Sequence, residues 1–498
     1  MCQRWLREEQ STLTAWEKSA EGILGARKRA GIEIRMVSHR RRPERKERRS
    51  CFMPRSGTAS VRQRELPLGN HGDESTSGTG RDDAPVGQDS LLERVLEADN
   101  LRRALRQVRR NRGAPGIDGM TVEGLPEHLK EHWPRQKESL LSGTYKPQPV
   151  RRVTIPKPGG GERQLGVPTV LDRFVQQALM QVLQEEWDDG FSPSSYGFRP
   201  NRSAHQALTT AQKHIRQGYA FVVDIDLEKF FDRVNHDVLM AKVAVRIRDQ
   251  RIVKLIRRIL TAGAVTLAGF EPATEGTPQG SPLSPILSNL LLDEFDKELE
   301  RRGHRFVRYA DDSNIYVRSK MAGERVMASV TRYLEKRLRL KVNVAKSAVD
   351  RPWNRRFLGF TFTRRRDNRF KVSDKALRSF KAKTREITRR TRGYTLARTI
   401  EELRAYILGW KAYFGLAEVL SPLKDLDKWV RRRLRSYVWK QWGRAGYREL
   451  RKRGVGRELA WNTCKSAHGP WRLSQSPALV IALPGRYFRS LGLPSLAG

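Results

Sequence analysis

Cysteine is scarce in this chain: three in 498 residues, at Cys2, Cys51 and Cys464. They lie far apart and form no Cys-x-x-Cys pair, which excludes a disulfide framework and a zinc finger. Long apolar runs are missing too. There is no stretch of 18 apolar residues and no signal-type hydrophobic segment after the amino terminus, so the sequence reads as neither membrane-spanning nor secreted and is expected in the cytoplasm. Acidic residues fall far short of basic ones, 55 Asp+Glu against 97 Lys+Arg, leaving a formal charge of +42. The natural counter-ion for such a surface is a polyphosphate backbone, because each neutralised phosphate releases condensed cations. The hydrophobic fraction of 38% is enough for a core, and the length suggests about three structural units.

Residues 1–88 differ from the rest. Arg27–Arg49 holds eleven Lys/Arg and three Glu, a net +8, and is followed by Gly/Ser/Asp-rich sequence around Gly69–Asp89. This is the composition of a basic disordered arm and a linker, or of sequence lying upstream of a start at Met36 or Met53. Helical spacing begins with Leu91, Leu92, Val95, Leu96, Leu101, Leu105 and Val108 and is broken by Gly113-Ala-Pro-Gly-Ile-Asp-Gly119. From Val150 short β-branched runs appear: Val153–Ile155, Phe221–Ile225, Phe306–Val307 and Ile315–Val317. Helices are expected between them at Arg173–Trp187 and His236–Ala262. The pattern predicts an α+β body over residues 89–373. After Ser373 the strands stop, and Leu396, Ile400, Leu403, Ile407, Trp410 and Phe414 form a 3.6-residue stripe, with Trp410 expected in the core. Residues 375–456 carry 23 Lys/Arg against 7 Asp/Glu, interleaved with Trp410, Trp429, Trp439 and Trp442. A helical, basic domain is therefore expected at 374–450, then a short basic tail, 451–498, with a capacity to contact DNA.

Two carboxylate clusters stand out. Arg308-Tyr-Ala-Asp-Asp-Ser313 joins two strand-like runs at adjacent aspartates, as in a hairpin. Adjacent carboxylates repel and favour solvation or a cation. Upstream, Asp224 and Asp226 are two apart in a strand-like run, so both face one way. Acids from two strands can hold two Mg²⁺ and clamp both oxygens of a phosphoryl transfer. The residues alone leave open a structural acid cluster.

In sequence order, these motifs resemble a reverse transcriptase, and specifically the intron-encoded proteins of bacterial group II introns. Tyr309-Ala-Asp-Asp312 is similar to the family's catalytic box, Asp226-Leu-Glu-Lys-Phe-Phe-Asp232 to its first carboxylate motif, and Thr277-Pro-Gln-Gly-Ser-Pro-Leu-Ser-Pro285 to its template and nucleotide loop. Phe357-Leu-Gly-Phe360 resembles the primer grip, Gly113–Gly119 the amino-terminal extension of non-retroviral members, and the helix from Ile400 through Phe414 the maturase, or thumb, region; Ser195-Tyr-Gly-Phe-Arg-Pro200 fits as well. The resemblance covers residues 90 to 450.

It implies a right-hand polymerase, with fingers and palm followed by an α-helical thumb/maturase domain. Asp226, Asp311 and Asp312 would be the catalytic metal ligands for two Mg²⁺, with Asp224 a neighbour on the same strand face. Phe231, five positions after Asp226, would be the gate against a ribose 2′-OH. Lys157 and Arg163 would grip the incoming dNTP, forked guanidinium contacts suiting phosphate. Gln279 and Gly280 would lie beside the templating pair and Ala310 under the nascent one. Lys346 aligns with a lysine that protonates pyrophosphate, or is an ordinary surface lysine. Phe357, Leu358 and Gly359 would hold the primer.

In the helical domain, Trp429 with Arg431, Arg432, Arg433 and Arg435 is the clearest candidate RNA contact, since RNA recognition favours phosphate contacts and stacked bases. After residue 450 one Cys and one His remain, too few for the HNH-type endonuclease of many relatives, and none is expected. The resulting expectation is an RNA-directed DNA polymerase and maturase acting on its group II intron RNA, an RNA template with a DNA primer, and target DNA by target-primed reverse transcription. The alternatives are an inactive RNA-binding splicing cofactor and a reverse transcriptase recruited to host defence.

Overall fold

The computed structural model describes residues 91–156, 161–365 and 367–498. The arm and linker expected at 1–88, and Lys157, lie outside the described residues. The first elements are helices α1 (Leu91–Val95), α2 (Ala98–Asn111) and α3 (Leu125–Leu141). Arg112 closes α2 in the left-handed conformation just before the glycine-rich break. Strands β1 (Val150–Pro156) and β2 (Glu162–Val167) form an antiparallel hairpin. After helices α4 (Val170–Trp187) and α5 (Ala204–Arg216) comes β3 (Phe221–Ile225). Side-chain caps set both helix starts, Thr169 accepting from the Asp172 amide and Ser203 forming a capping box with Gln206.

The single helix expected over 236–262 is two helices, α6 (His236–Arg246) and α7 (Gln250–Thr261). Ile247 is extended, and Asp249 caps α7 by accepting from the Arg251 amide at 2.9 Å. An acid that satisfies an orphan amide starts a new helix at this point. Short strands β4 (Ala264–Thr266) and β5 (Gly269–Glu271) follow. They complete a first sheet in the order β2-β1-β4-β5.

Helix α8 (Ser284–Arg301) leads into the hairpin β6 (Arg305–Tyr309) and β7 (Asp312–Val317), then α9 (Lys320–Arg337) and β8 (Ala348–Asp350). The second sheet runs β6-β7-β3-β8, antiparallel throughout. It is buried on both faces. Val223, Ile225, Phe306, Ile315 and Val317 point into one core, while Val222, Val307, Tyr309 and Tyr316 point into another. Burial on both sides explains why these strands read as continuous apolar runs rather than as alternating ones.

A two-stranded ribbon, β9 (Phe360–Phe362) and β10 (Phe370–Val372), precedes helices α10 (Asp374–Ile387), α11 (Leu396–Phe414) and α12 (Ser421–Trp442). Trp410, partly buried, packs against the core of this region between Phe380 and Phe414, ring centroids 5.0 and 4.4 Å away. Helix α13 (Gly446–Lys452) straddles the boundary expected at 450, and the region read from the sequence as a short tail holds further helices, α14 (Arg457–Lys465), α15 (Pro470–Leu473), α16 (Pro477–Ala482) and α17 (Gly485–Ser490). Leu479, Leu483 and Phe488 are fully buried in the same core as Leu403 and Leu434. Among the described residues no helix is long and apolar enough to cross a membrane.

Candidate active site

The β6–β7 hairpin closes with Tyr309 paired to Asp312, leaving Ala310 and Asp311 as its two-residue turn. Ala310 adopts φ 56°, a left-handed conformation that costs a residue with a β-carbon about 1–2 kcal/mol. Gly197, from the Ser195–Pro200 motif, lies flat on this turn. A β-carbon at Gly197 would stand 2.2 Å from the Ala310 nitrogen. The motif is stitched to β6 by Tyr196 N donating to Arg308 O and Arg308 N donating to Ser194 O, both at 2.9 Å.

Beside the hairpin, Asp224 pairs with Asn314 and Ile225 with Ser313, so β3 delivers Asp226 to the same end of the sheet as Asp311 and Asp312. The loop at 342–347 wraps Asp226. Its amide donates to Ser347 Oγ at 3.0 Å, its carbonyl accepts from Asn343 N at 2.8 Å, and Lys346 Nζ stands 3.5 Å from its carboxylate. Asp224 is engaged differently. Arg355 donates to its Oδ2 from Nε at 2.9 Å and Nη2 at 2.6 Å, and the Asn314 amide nitrogen, turned toward it, donates to Oδ1 at 3.0 Å.

Loss of water and mutual repulsion raise Asp312, Asp311 and Asp224. Asp312 is pushed up to about 7, first by desolvation and then by Asp311, Asp224 and Asp226. Asp311 is raised by desolvation and by Asp226, partly opposed by Arg163. Asp224 is also raised by desolvation, with Arg355 opposing. Among the described residues no group of three or more His, Cys, Asp or Glu stands ready to hold a metal ion. The donors are nevertheless all carboxylate oxygens, the hard ligands that suit Mg²⁺.

The remaining expected residues fall as follows. Arg163 is exposed on β2 opposite Ile155, and its charge is felt at Asp311. Phe231 is half-buried in a tight turn whose carbonyl accepts from Thr277 N at 2.6 Å. Gln279 donates from Nε2 to Asp232 at 3.1 Å and accepts at its carbonyl from Gly166 N at 2.9 Å, which ties the 277–285 loop to β2. Gly280, at φ 121°, lies against the Gly166 carbonyl. Phe357 and Phe360 exchange backbone hydrogen bonds across Leu358 and Gly359, at φ 49° and 79°, the dihedral signature of a tight type I′ hairpin turn. Tyr413 on α11 donates to the Leu358 carbonyl at 3.0 Å.

Trp429 and the arginine run sit on α12. Trp429 is half-buried, with Lys381 and Arg385 over its ring. Arg432 lies 3.8 Å over the Trp471 ring, Arg433 donates to Thr388 Oγ1 and to the Thr388 carbonyl, and Arg435 donates to the Leu483 carbonyl. These three guanidiniums tie α12 to its neighbours, and Arg431 packs beside Gly485. Sequence reasoning overlooked Arg355, Ser347 and Arg308. The one signal available for Arg308 was a basic residue set between Val307 and Tyr309 in a strand-like run.

Comparison with known families matches residues 155–362 to the reverse transcriptase (RNA-dependent DNA polymerase) model and residues 377–455 to the group II intron maturase-specific domain. Over 218 residues the chain is 38% identical to the protein YkfC of Escherichia coli K12, covering 43% of this chain and 57% of that protein. Over 267 residues it is 33% identical to the group II intron-encoded protein LtrA of Lactococcus lactis subsp. cremoris, covering 50% and 44%. An uncharacterized 91 kDa protein in the cob intron of Schizosaccharomyces pombe is 35% identical over 190 residues, covering 38% and 22%. The matches thus span from about a fifth to about three fifths of these relatives' length. The mixed sheets followed by a helical region fit the fold class expected from the sequence.

Proposed function

We propose, for a chain that joins a reverse transcriptase domain to a group II intron maturase domain and is related to group II intron-encoded proteins, that it copies RNA into DNA, assists the splicing of a parent group II intron RNA, and moves that intron by target-primed reverse transcription. The observation that carries the reading is the delivery of Asp226, Asp311 and Asp312 to one end of a single sheet, with Lys346 3.5 Å from Asp226.

Reverse transcriptase domains use a divalent cation; here Asp226, Asp311 and Asp312 would hold two Mg²⁺, which would neutralise charge developing on the transferring phosphoryl group. Asp226 is favoured over Asp224 because Arg355 and Asn314 already occupy both Asp224 oxygens. Arg163, with Lys157, orients the dNTP triphosphate. Phe231 stands where the sugar's 2′ position is sensed. Gln279 and Gly280 present a flat backbone surface to the templating pair, and Ala310 a small side chain to the nascent one. Lys346, kept near the reacting phosphates by Asp226, gives a proton to pyrophosphate. The 357–360 turn, braced by Tyr413, holds the primer end. In the helical region, the bases around Trp429, with Lys381 and Arg385 over its ring, bind intron RNA through phosphate contacts.

Splicing assistance separates from polymerisation in one experiment. Parent intron RNA is incubated at a Mg²⁺ concentration too low for self-splicing, with the wild-type protein or with an Asp311→Ala/Asp312→Ala variant. Both should restore splicing. Failure of the wild type to do so would contradict the maturase half of the reading.

A further inference from the structure

Arg308 is fully buried, as is its partner Asp296. Its Nε donates to Asp296 Oδ1 and Oδ2 at 2.8 and 2.9 Å, and Nη2 donates to Oδ2 at 2.6 Å. Its Nη1 donates to Asn289 Oδ1 at 3.0 Å and to the Ala310 carbonyl at 2.9 Å. Asn289 in turn donates from Nδ2 to the Gly197 carbonyl at 2.9 Å. Asn289 and Asp296 lie seven residues apart on α8, two turns along one face.

This is more than a core ion pair needs. A carboxylate alone engages one edge of a guanidinium, here Nε and Nη2. Here Nη1 reaches past it to the carbonyl of Ala310, the residue of this turn held at positive φ, and the same network fixes the glycine lying against that turn from the other side. We infer that Arg308 is a positioning residue for the polymerase reaction: with Asp296 and Asn289 it holds the Ala310 peptide in its left-handed state and so fixes where Asp311 and Asp312 point. The guanidinium touches no substrate. It acts through the turn, and a displacement of about 1 Å in such a group is enough to cost about a hundredfold in rate. The proposal rests on the polymerase reading above.

The test uses the full chain on an RNA template with an annealed DNA primer, dNTPs and Mg²⁺. Arg308→Lys keeps a cation for Asp296 and loses the forked reach to Ala310. Arg308→Met/Asp296→Leu removes both charges together, an exchange that buried pairs commonly tolerate. In either folded variant the extension kcat should fall at least about tenfold, while the dNTP KM and the affinity for template-primer stay at wild-type values. Placing Ala310→Gly in the same background should recover part of that loss, because glycine adopts the left-handed state without help. A purely structural pair would give the same fold-loss in both backgrounds.

Folded variants with wild-type kcat would overturn the proposal, as would equal losses with and without Ala310→Gly. Loss of the folded state in both variants would make the pair a core element only, and would overturn it too. A wild type no more active than an Asp311→Ala/Asp312→Ala control would instead defeat the polymerase reading itself.

Discussion

Arg355 clamps Asp224 with two donors on one carboxylate oxygen, while the Asp226 carboxylate, two residues along, has Lys346 Nζ 3.5 Å away. Neighbouring acids of one strand thus have opposite availability. Asp226→Asn should bring primer extension to background, whereas Asp224→Asn should keep activity within about tenfold of wild type, since the amide oxygen still accepts from Arg355 and charge-assisted bonds contribute about 1.5–3 kcal/mol. Steady-state extension rates decide it. Equal loss in the two variants would contradict the assignment.

The acid cluster also sets a pH dependence. Asp312 is pushed up to about 7 from an ordinary value of 3.8, so in the metal-free fold it keeps a proton that the unfolded chain has released. Between those two values the folded state binds more protons, and this group's contribution to stability declines as pH rises, the loss being complete near 7. Asp312→Asn should remove the decline. The difference in unfolding midpoint between variant and wild type, measured in chelator, should grow in the variant's favour from pH 4 to 7; a pH-independent difference would count against it.

Gly359 sits at φ 79°, and a β-carbon there would lie 3.1 Å from the Phe414 ring of α11. Gly359→Ala should therefore destabilise the protein by about 1–2 kcal/mol and loosen the 357–360 turn from α11. Denaturant unfolding gives the first effect, and a raised KM for template-primer gives the second. An unchanged midpoint would show that the turn relaxes freely.

Arg433 is consumed inside the helical region, its Nε 3.0 Å from the fully buried Thr388 hydroxyl and its Nη2 3.1 Å from the Thr388 carbonyl. Arg433→Ala should lower stability by about 1–3 kcal/mol, the cost of orphaning buried partners, and leave the salt dependence of RNA binding as it was. A salt slope reduced by about one with stability intact would instead make Arg433 a phosphate contact.

Much of this arrangement was legible from local pattern. The apolar run at Phe221–Ile225 and the stripe ending at Phe414 coincide with β3 and with the end of α11, because each pattern is set by neighbours in the chain. The turn at Ala310–Asp311 was marked by its own acids. What escaped depends on distant partners. Arg308 meets Asp296 and Asn289 from another element, Arg355 reaches 131 residues back to Asp224, and no local signal announces either pairing. The break at Ile247–Asp249 was hidden because apolar spacing continues across it, and the helices beyond residue 446 are too short for a periodic stripe to accumulate. The arginine run of α12 read as a candidate RNA contact, while its geometry ties three of the four side chains to the protein's own carbonyls, hydroxyls and rings.

The central claim is that Asp226, Asp311 and Asp312 form the seat of RNA-directed DNA synthesis. Its most direct test is dNTP incorporation by the full chain on an RNA template with an annealed DNA primer and Mg²⁺, beside the Asp311→Ala/Asp312→Ala variant. The account predicts extension by the wild type and background incorporation by the variant. Absence of extension by both, with tight and steeply salt-dependent binding of intron RNA retained, would contradict it and leave a splicing cofactor.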